Sequence, residues 1–210
     1  MLVSYIGVGF AAFIIWGIFF LAYLMRKSSK KRDKTIEAFL EEEREANATR
    51  KKEIDAELFY TPDLSDIPLL HDESKQEKNV IKISKRTMIR FKEGEFISNT
   101  ELKKTYGASQ LDKIIQYEEN FNEYLASLIV LAELRIENGL ANEAIRVLEH
   151  TLELGSEFRK SYSLAAELYL AGGKTEKLTE LLATAENHKF KDLGIKSWVI
   201  KTIGEKISNS

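Results

Sequence analysis

Carboxylates are plentiful in this 210-residue sequence, with 33 Asp and Glu, but the histidine, cysteine and motif partners that a catalytic or metal site needs are few or absent. His71, His150 and His188 are the three histidines, and none opens an HExxH pairing. Cysteine is absent, which removes disulfides, thiolate metal sites and thiol nucleophiles and fits a reducing compartment. No Walker loop, GxGxxG or GxSxG occurs. Gly172-Gly173 reads as an inter-helix turn, where a positive φ is convenient, and not as a phosphate cradle. The many glutamates read as solvated faces. The chain is therefore expected not to be an enzyme and to need neither metal nor cofactor. What remains is fixed charge. Arg26, Lys27, Lys30, Lys31, Arg32 and Lys34 form a dense basic cluster, and such residues gain about 1 kcal/mol each near anionic headgroups. A net charge of −2 over the whole chain argues against nucleic acid as a partner, because phosphate binding needs a marked basic surplus.

The run before this cluster explains its position. Leu2 to Met25 carries no charged side chain, and a helix of about 20 residues crosses a hydrocarbon core of about 30 Å. Tyr5 and Tyr23 lie near its ends, as interfacial aromatics do. The run is too long for a signal peptide and lacks a basic n-region and a small-residue cleavage site. Residues 1–25 are therefore expected to be a single transmembrane anchor. Basic residues on its C-terminal side place the bulk of the chain in the cytoplasm and the short N-terminus outside. A plasma or bacterial inner membrane is the expected location, with an organelle membrane as the alternative. Membrane lipid is then a partner through residues 1–34, and the small-xxx-small pair Gly7 and Ala11 admits a homodimer through the membrane helix.

Residues 26–60 read as a basic, then charge-dense helical stem with a sparse apolar stripe: Ile36, Phe39, Leu40, Ile54 and Leu58. Residues 61–97 read as a linker. At its start, Phe59 to Leu70 (FYTPDLSDIPLL) is extended by Pro62 and Pro68 yet apolar. It is expected to dock on this chain's own helices, the alternative being a motif offered to another protein. Asn79 to Phe91 is ambiguous between helix and strand, and helix is favoured because no sheet partner follows it. Ser98 and Glu101 then make a capping box, and Gly107 a helix stop.

Downstream, one pattern occurs twice. LIVLAELRIENGLANEAIRVLEHTLELGSE starts at Leu128, and YSLAAELYLAGGKTEKLTELLATAE starts at Tyr162. Gly139 and Gly173 are equivalent, and 173 − 139 = 34. The region resembles the tetratricopeptide repeat, a helix–turn–helix unit of about 34 residues. Ala132 and Ala144 match small positions of that family, and Leu128, Leu131 and Leu148 match large ones. Tyr162, Ala165, Ala166, Tyr169, Leu182 and Ala185 do so in the second copy. Arg135 departs from it where an aromatic is usual, Leu178 where a small residue is, and Ser156 where the closing proline is. The resemblance implies an all-α domain over 98–210, with repeats at about 125–158 and 159–190 and a capping helix at 192–207. A generic helical bundle is the alternative.

The resemblance also implies a binding surface. The first helices of successive repeats would line a concave face holding Ile129, Glu133, Ile136, Lys160, Glu167 and Leu170. Glu133 and Glu167 share one repeat position, which disfavours an acidic peptide and favours an apolar or basic one. The expected function is a membrane-tethered scaffold for protein partners on the cytoplasmic side. The alternative is a permanently assembled structural subunit of a larger membrane complex.

Overall fold

The computed structural model describes residues 20–21, 25, 35–70, 74–92 and 97–208. Among these, no helix is long and apolar enough to cross a membrane. The Leu2–Met25 run, apart from Phe20, Leu21 and Met25, lies outside the described residues, as does the whole basic cluster. Among the described residues the fold is all-α except for one pair of two-residue strands. In chain order come α1 (35–48), β1 (Phe59–Tyr60), α2 (Lys75–Ser84), β2 (Met88–Ile89), α3 (Asn99–Tyr106) and α4 (Leu111–Glu137). Then follow α5 (Ala141–Glu153), α6 (Arg159–Ala171), α7 (Thr175–Asn187) and α8 (Leu193–Ser208).

The charged stem is not a free helix. α1 stops at residue 48, and the chain then crosses α3 without regular structure up to a short 3-10 turn at Ala56–Leu58. Helix propensity alone would carry it further, but tertiary partners override that weak preference. Glu43 bonds Lys103 Nζ at 2.7 Å and the Thr100 hydroxyl, and Glu42 bonds Lys104 Nζ at 2.7 Å. Lys52 donates its N–H to the Tyr106 carbonyl (2.9 Å) and accepts from Gln110 Nε2 (3.0 Å). The Tyr106 hydroxyl donates to Asp55 Oδ2 at 2.8 Å. Gly107 makes this crossing possible. Its φ of 87° and ψ of 146° suit glycine almost alone, and a Cβ there would lie 2.9 Å from the Arg50 carbonyl oxygen. Ser98 and Glu101 form the reciprocal capping box that starts α3.

Residues 61–97 also differ from a passive linker. Ser74 caps α2 by accepting from the Glu77 N–H, and Val80 and Ile83 bury one face against α4. The helix ends at Ser84, and β2 follows, so the 79–91 stretch is helix and then strand. Its sheet partner lies upstream: Phe59 pairs with Ile89 and Tyr60 with Met88, antiparallel. The Pro-containing segment docks on this chain's own helices. Tyr60 meets Phe121 edge-on at 5.3 Å between ring centroids, and Ile67 is buried in the main core.

The second half of α4, with α5, and then α6 with α7 make two hairpins whose turns share backbone torsions and hydrogen bonds. Gly139 and Gly173 have φ of 74° and 65°. The preceding residues, Asn138 and Gly172, sit at φ/ψ of −84°/4° and −86°/1°. The following ones, Leu140 and Lys174, sit at −93°/60° and −89°/61°. The Leu140 N–H reaches the Arg135 carbonyl at 2.8 Å, and the Lys174 N–H reaches that of Tyr169 at 2.8 Å. The register continues beyond them. α6 begins at Arg159 and α8 at Leu193, and 193 − 159 = 34. The expected capping helix thus occupies the place of a third first-helix.

Arg135, out of place for the resemblance, is wholly buried and meets Glu77 of α2 (2% exposed) at 2.8 Å. At the equivalent position, the Tyr169 hydroxyl donates to Glu149 of α5 at 2.8 Å. In both cases the first helix of a pair reaches back to a glutamate on an earlier helix, α2 for Arg135 and α5 for Tyr169. We expect Arg135→Met alone to destabilise the protein by about 3–5 kcal/mol, because it leaves a buried carboxylate without its cation, and the double variant Glu77→Leu/Arg135→Met to recover most of that loss. Gly107→Ala is expected to cost about 1–3 kcal/mol or more, and Gly139→Ala less, since nothing lies within 4 Å of an added Cβ at Gly139. Urea denaturation measures all four.

Candidate protein-docking surface

The residues expected to form a groove are carried by α4 and α6, and α8 packs beside α6. Glu133 of α4 and Lys160 of α6 form an ion pair at 2.6 Å. Glu167 of α6 accepts from the Ser163 hydroxyl at 3.1 Å and lies 3.5 Å from Lys206 of α8. The two glutamates therefore do not stand as bare acids on a shared face. Each is matched by a lysine from the next first-helix, giving a ladder of partly exposed pairs of the kind that contributes about 0–1 kcal/mol apiece. Arg159 adds to it by placing its guanidinium 5.3 Å from the Trp198 ring centroid. Ile129 is buried, Ile136 packs partly against the core, and Leu170 is exposed. Lys206 and Trp198 were not singled out by the sequence, because they lie on the helix read as a cap. The 34-residue offset from Arg159 to Leu193 was the available signal.

A separate cavity of about 380 Å³ lies between the chain leaving β2, the first half of α4, the α5–α6 turn and the start of α8. Phe91, Phe121, Leu125, Leu154 and Ile195 line it. Lys191 crosses it, bonding Glu118 at 2.9 Å through Nζ and donating its backbone N–H to both Glu157 oxygens at 3.0 and 3.1 Å. The buried His188 faces the same carboxylate, with Nε2 3.9 Å from Glu157 Oε1, and stacks edge-on against Phe190. No sequence motif marks this place, because its walls come from separate elements.

The histidines are scattered: His71 falls outside the described residues, His150 is on α5, and His188 follows α7. Among the described residues no group of three His, Asp or Glu side chains is placed to hold a metal ion. Burial, and then its hydrogen bond to Glu149, pushes the Tyr169 phenol well above its ordinary value of 10.0. Comparison with protein-family models, with curated proteins and with solved structures gives no match for this chain.

A group whose folded pKa is raised lends stability that is complete below its unfolded pKa and is lost as pH climbs beyond it. The unfolding free energy is therefore expected to be insensitive to Tyr169 near neutrality and to fall above about pH 10. Tyr169→Phe should cost about 1 kcal/mol at neutral pH and make the alkaline loss shallower, as read from urea denaturation across pH.

Proposed function

We propose that this chain is a membrane-tethered scaffold, in which a short tetratricopeptide-like domain on the cytoplasmic side holds protein partners close to the bilayer. The observation that carries this reading is the recurrence of one helical turn at a 34-residue offset, in torsions and in hydrogen bonds. Stacked hairpins of this kind present a continuous side built from their first helices. Here that side alternates carboxylates, lysines and the apolar Leu170. An apolar or basic segment suits it, because a basic side chain can take over Glu133 or Glu167 from its lysine. The uncharged Leu2–Met25 run and the six cations after it supply the tether. Tethering raises the effective concentration of a partner at the membrane without any new contact.

A second reading, a permanently assembled subunit of a larger membrane complex, draws support from the pairing of both glutamates within the chain. A groove whose charges are internally matched needs no exchanging ligand.

Affinity capture of the full chain from detergent-solubilised membranes separates the two. A scaffold is expected to release a set of proteins in high salt and to change that set when Glu133→Lys and Glu167→Lys are combined, with the helical circular dichroism intact. An unchanged set from a folded double variant removes the groove from the proposal. Capture of one stoichiometric, salt-resistant assembly favours the subunit reading.

A further inference from the structure

One face of α1 has two unlike halves. Ile36, Phe39 and Leu40 recur at helical spacing with Glu43 and Ala46, so all five share a side of the helix. The C-terminal half of that side is covered: Ala46 is fully buried, and Glu43 meets Lys103 and Thr100 of α3. α3 has eight residues, which is only about 12 Å of helix. Beyond its cover, Ile36, Phe39 and Leu40 are 48%, 56% and 48% exposed. Three large apolar side chains within two turns form a patch rather than a scatter of single surface residues.

The charge around this patch indicates what covers it. Directly upstream in the sequence stand six cations in the nine positions 26–34, interrupted by one acid, Asp33. The acids of α1 itself are turned away or engaged. Helical spacing puts Glu41 and Glu45 on the opposite side and Glu37 on the border. Glu42 is held by Lys104, and Glu41 pairs with Arg44 at 3.1 Å. A second copy of the helix is a poor occupant. The apolar pattern gives way within one heptad to an engaged Glu43 and a buried Ala46, and a coiled coil needs several heptads. An apolar side next to a basic run and backed by a polar side is the composition of a helix that lies in a membrane interface.

We infer that Ile36, Phe39 and Leu40 insert into the interfacial layer of an anionic membrane. α1 then lies along the surface with α3 beside it, and the repeat domain is held against the bilayer instead of standing away on a stalk. This placement rests on the membrane reading proposed above.

The chain has no cysteine, so single bimane labels can be placed at L40C and, on the opposite side, at E45C. Full-length protein is reconstituted into vesicles of phosphatidylcholine, alone or with phosphatidylglycerol, and quenched by nitroxide lipids or by aqueous iodide. The expected result is lipid quenching several-fold stronger at L40C than at E45C, greater with phosphatidylglycerol, and abolished by adding Ile36→Glu and Phe39→Glu. Equal iodide quenching at both positions overturns the inference. So does protection of L40C from both quenchers, which a second copy of the chain would give. Alkaline carbonate extraction reads the anchor separately. Release by alkali with L40C still lipid-quenched refutes the spanning run and supports the surface helix. Retention with L40C open to iodide refutes the surface helix alone.

Discussion

Arg135 stands where the second hairpin carries Tyr169, and its burial imposes a condition that a tyrosine would not. A guanidinium cannot be neutralised, so in a solvent-free site it must meet a carboxylate or lose several kcal/mol. Glu77 is that carboxylate, 58 residues earlier in the chain. Its position at the third residue of α2, behind the Ser74 cap, aims it at the last turn of α4. With this end pinned, Val80 and Ile83 fall onto α4, and Met88 follows into the same core. An ion pair of this kind is weak as a source of net stability but strong as a statement of which helix packs where. It gives α2 the relation to α4 that α5 has to α6, where Glu149 receives the Tyr169 hydroxyl.

The hairpins show how little side-chain identity a repeated turn demands. Asn138-Gly139-Leu140 and Gly172-Gly173-Lys174 share one residue, yet they share torsions and hydrogen bonds. What they have in common is a glycine in the left-handed region, after which the next residue's N–H bonds back to the Arg135 or Tyr169 carbonyl. The lysines paired with Glu133 and Glu167 differ in repeat position, since Lys160 opens α6 and Lys206 closes α8. The backbone repeats where the side-chain pairing does not.

Features governed by local rules were legible in the sequence. The Ser98–Glu101 capping box and the Gly107 stop depend on residues a few positions apart, and the 34-residue spacing on a short pattern that recurs. The helical character of the C-terminal half followed from them. Features governed by distant partners were not legible. Nothing near Glu43 announces Lys103, so the charge-dense stretch reads as a free stem when it is in fact latched to α3. β2 was hidden because its partner, Phe59–Tyr60, precedes it and is itself only two residues long. On the candidate surface, the repeat register located Glu133 and Glu167. Lys160 was on that face in the register too, but its pairing with Glu133 and the approach of Lys206 to Glu167 depend on how the helices cross, which periodicity does not encode.

The crossing over Gly107 also bears on the order in which the molecule closes. Each hairpin turn joins residues five apart, whereas Asp55 meets Tyr106 across 51 residues and Glu42 meets Lys104 across 62. Loop closure disfavours the long pairings until both ends are already held. A chain made from its N-terminus therefore exposes residues 35–60 first and can seat them only after α3 and the start of α4 have emerged. Residues 35–60 are thus made before the partners that seat them.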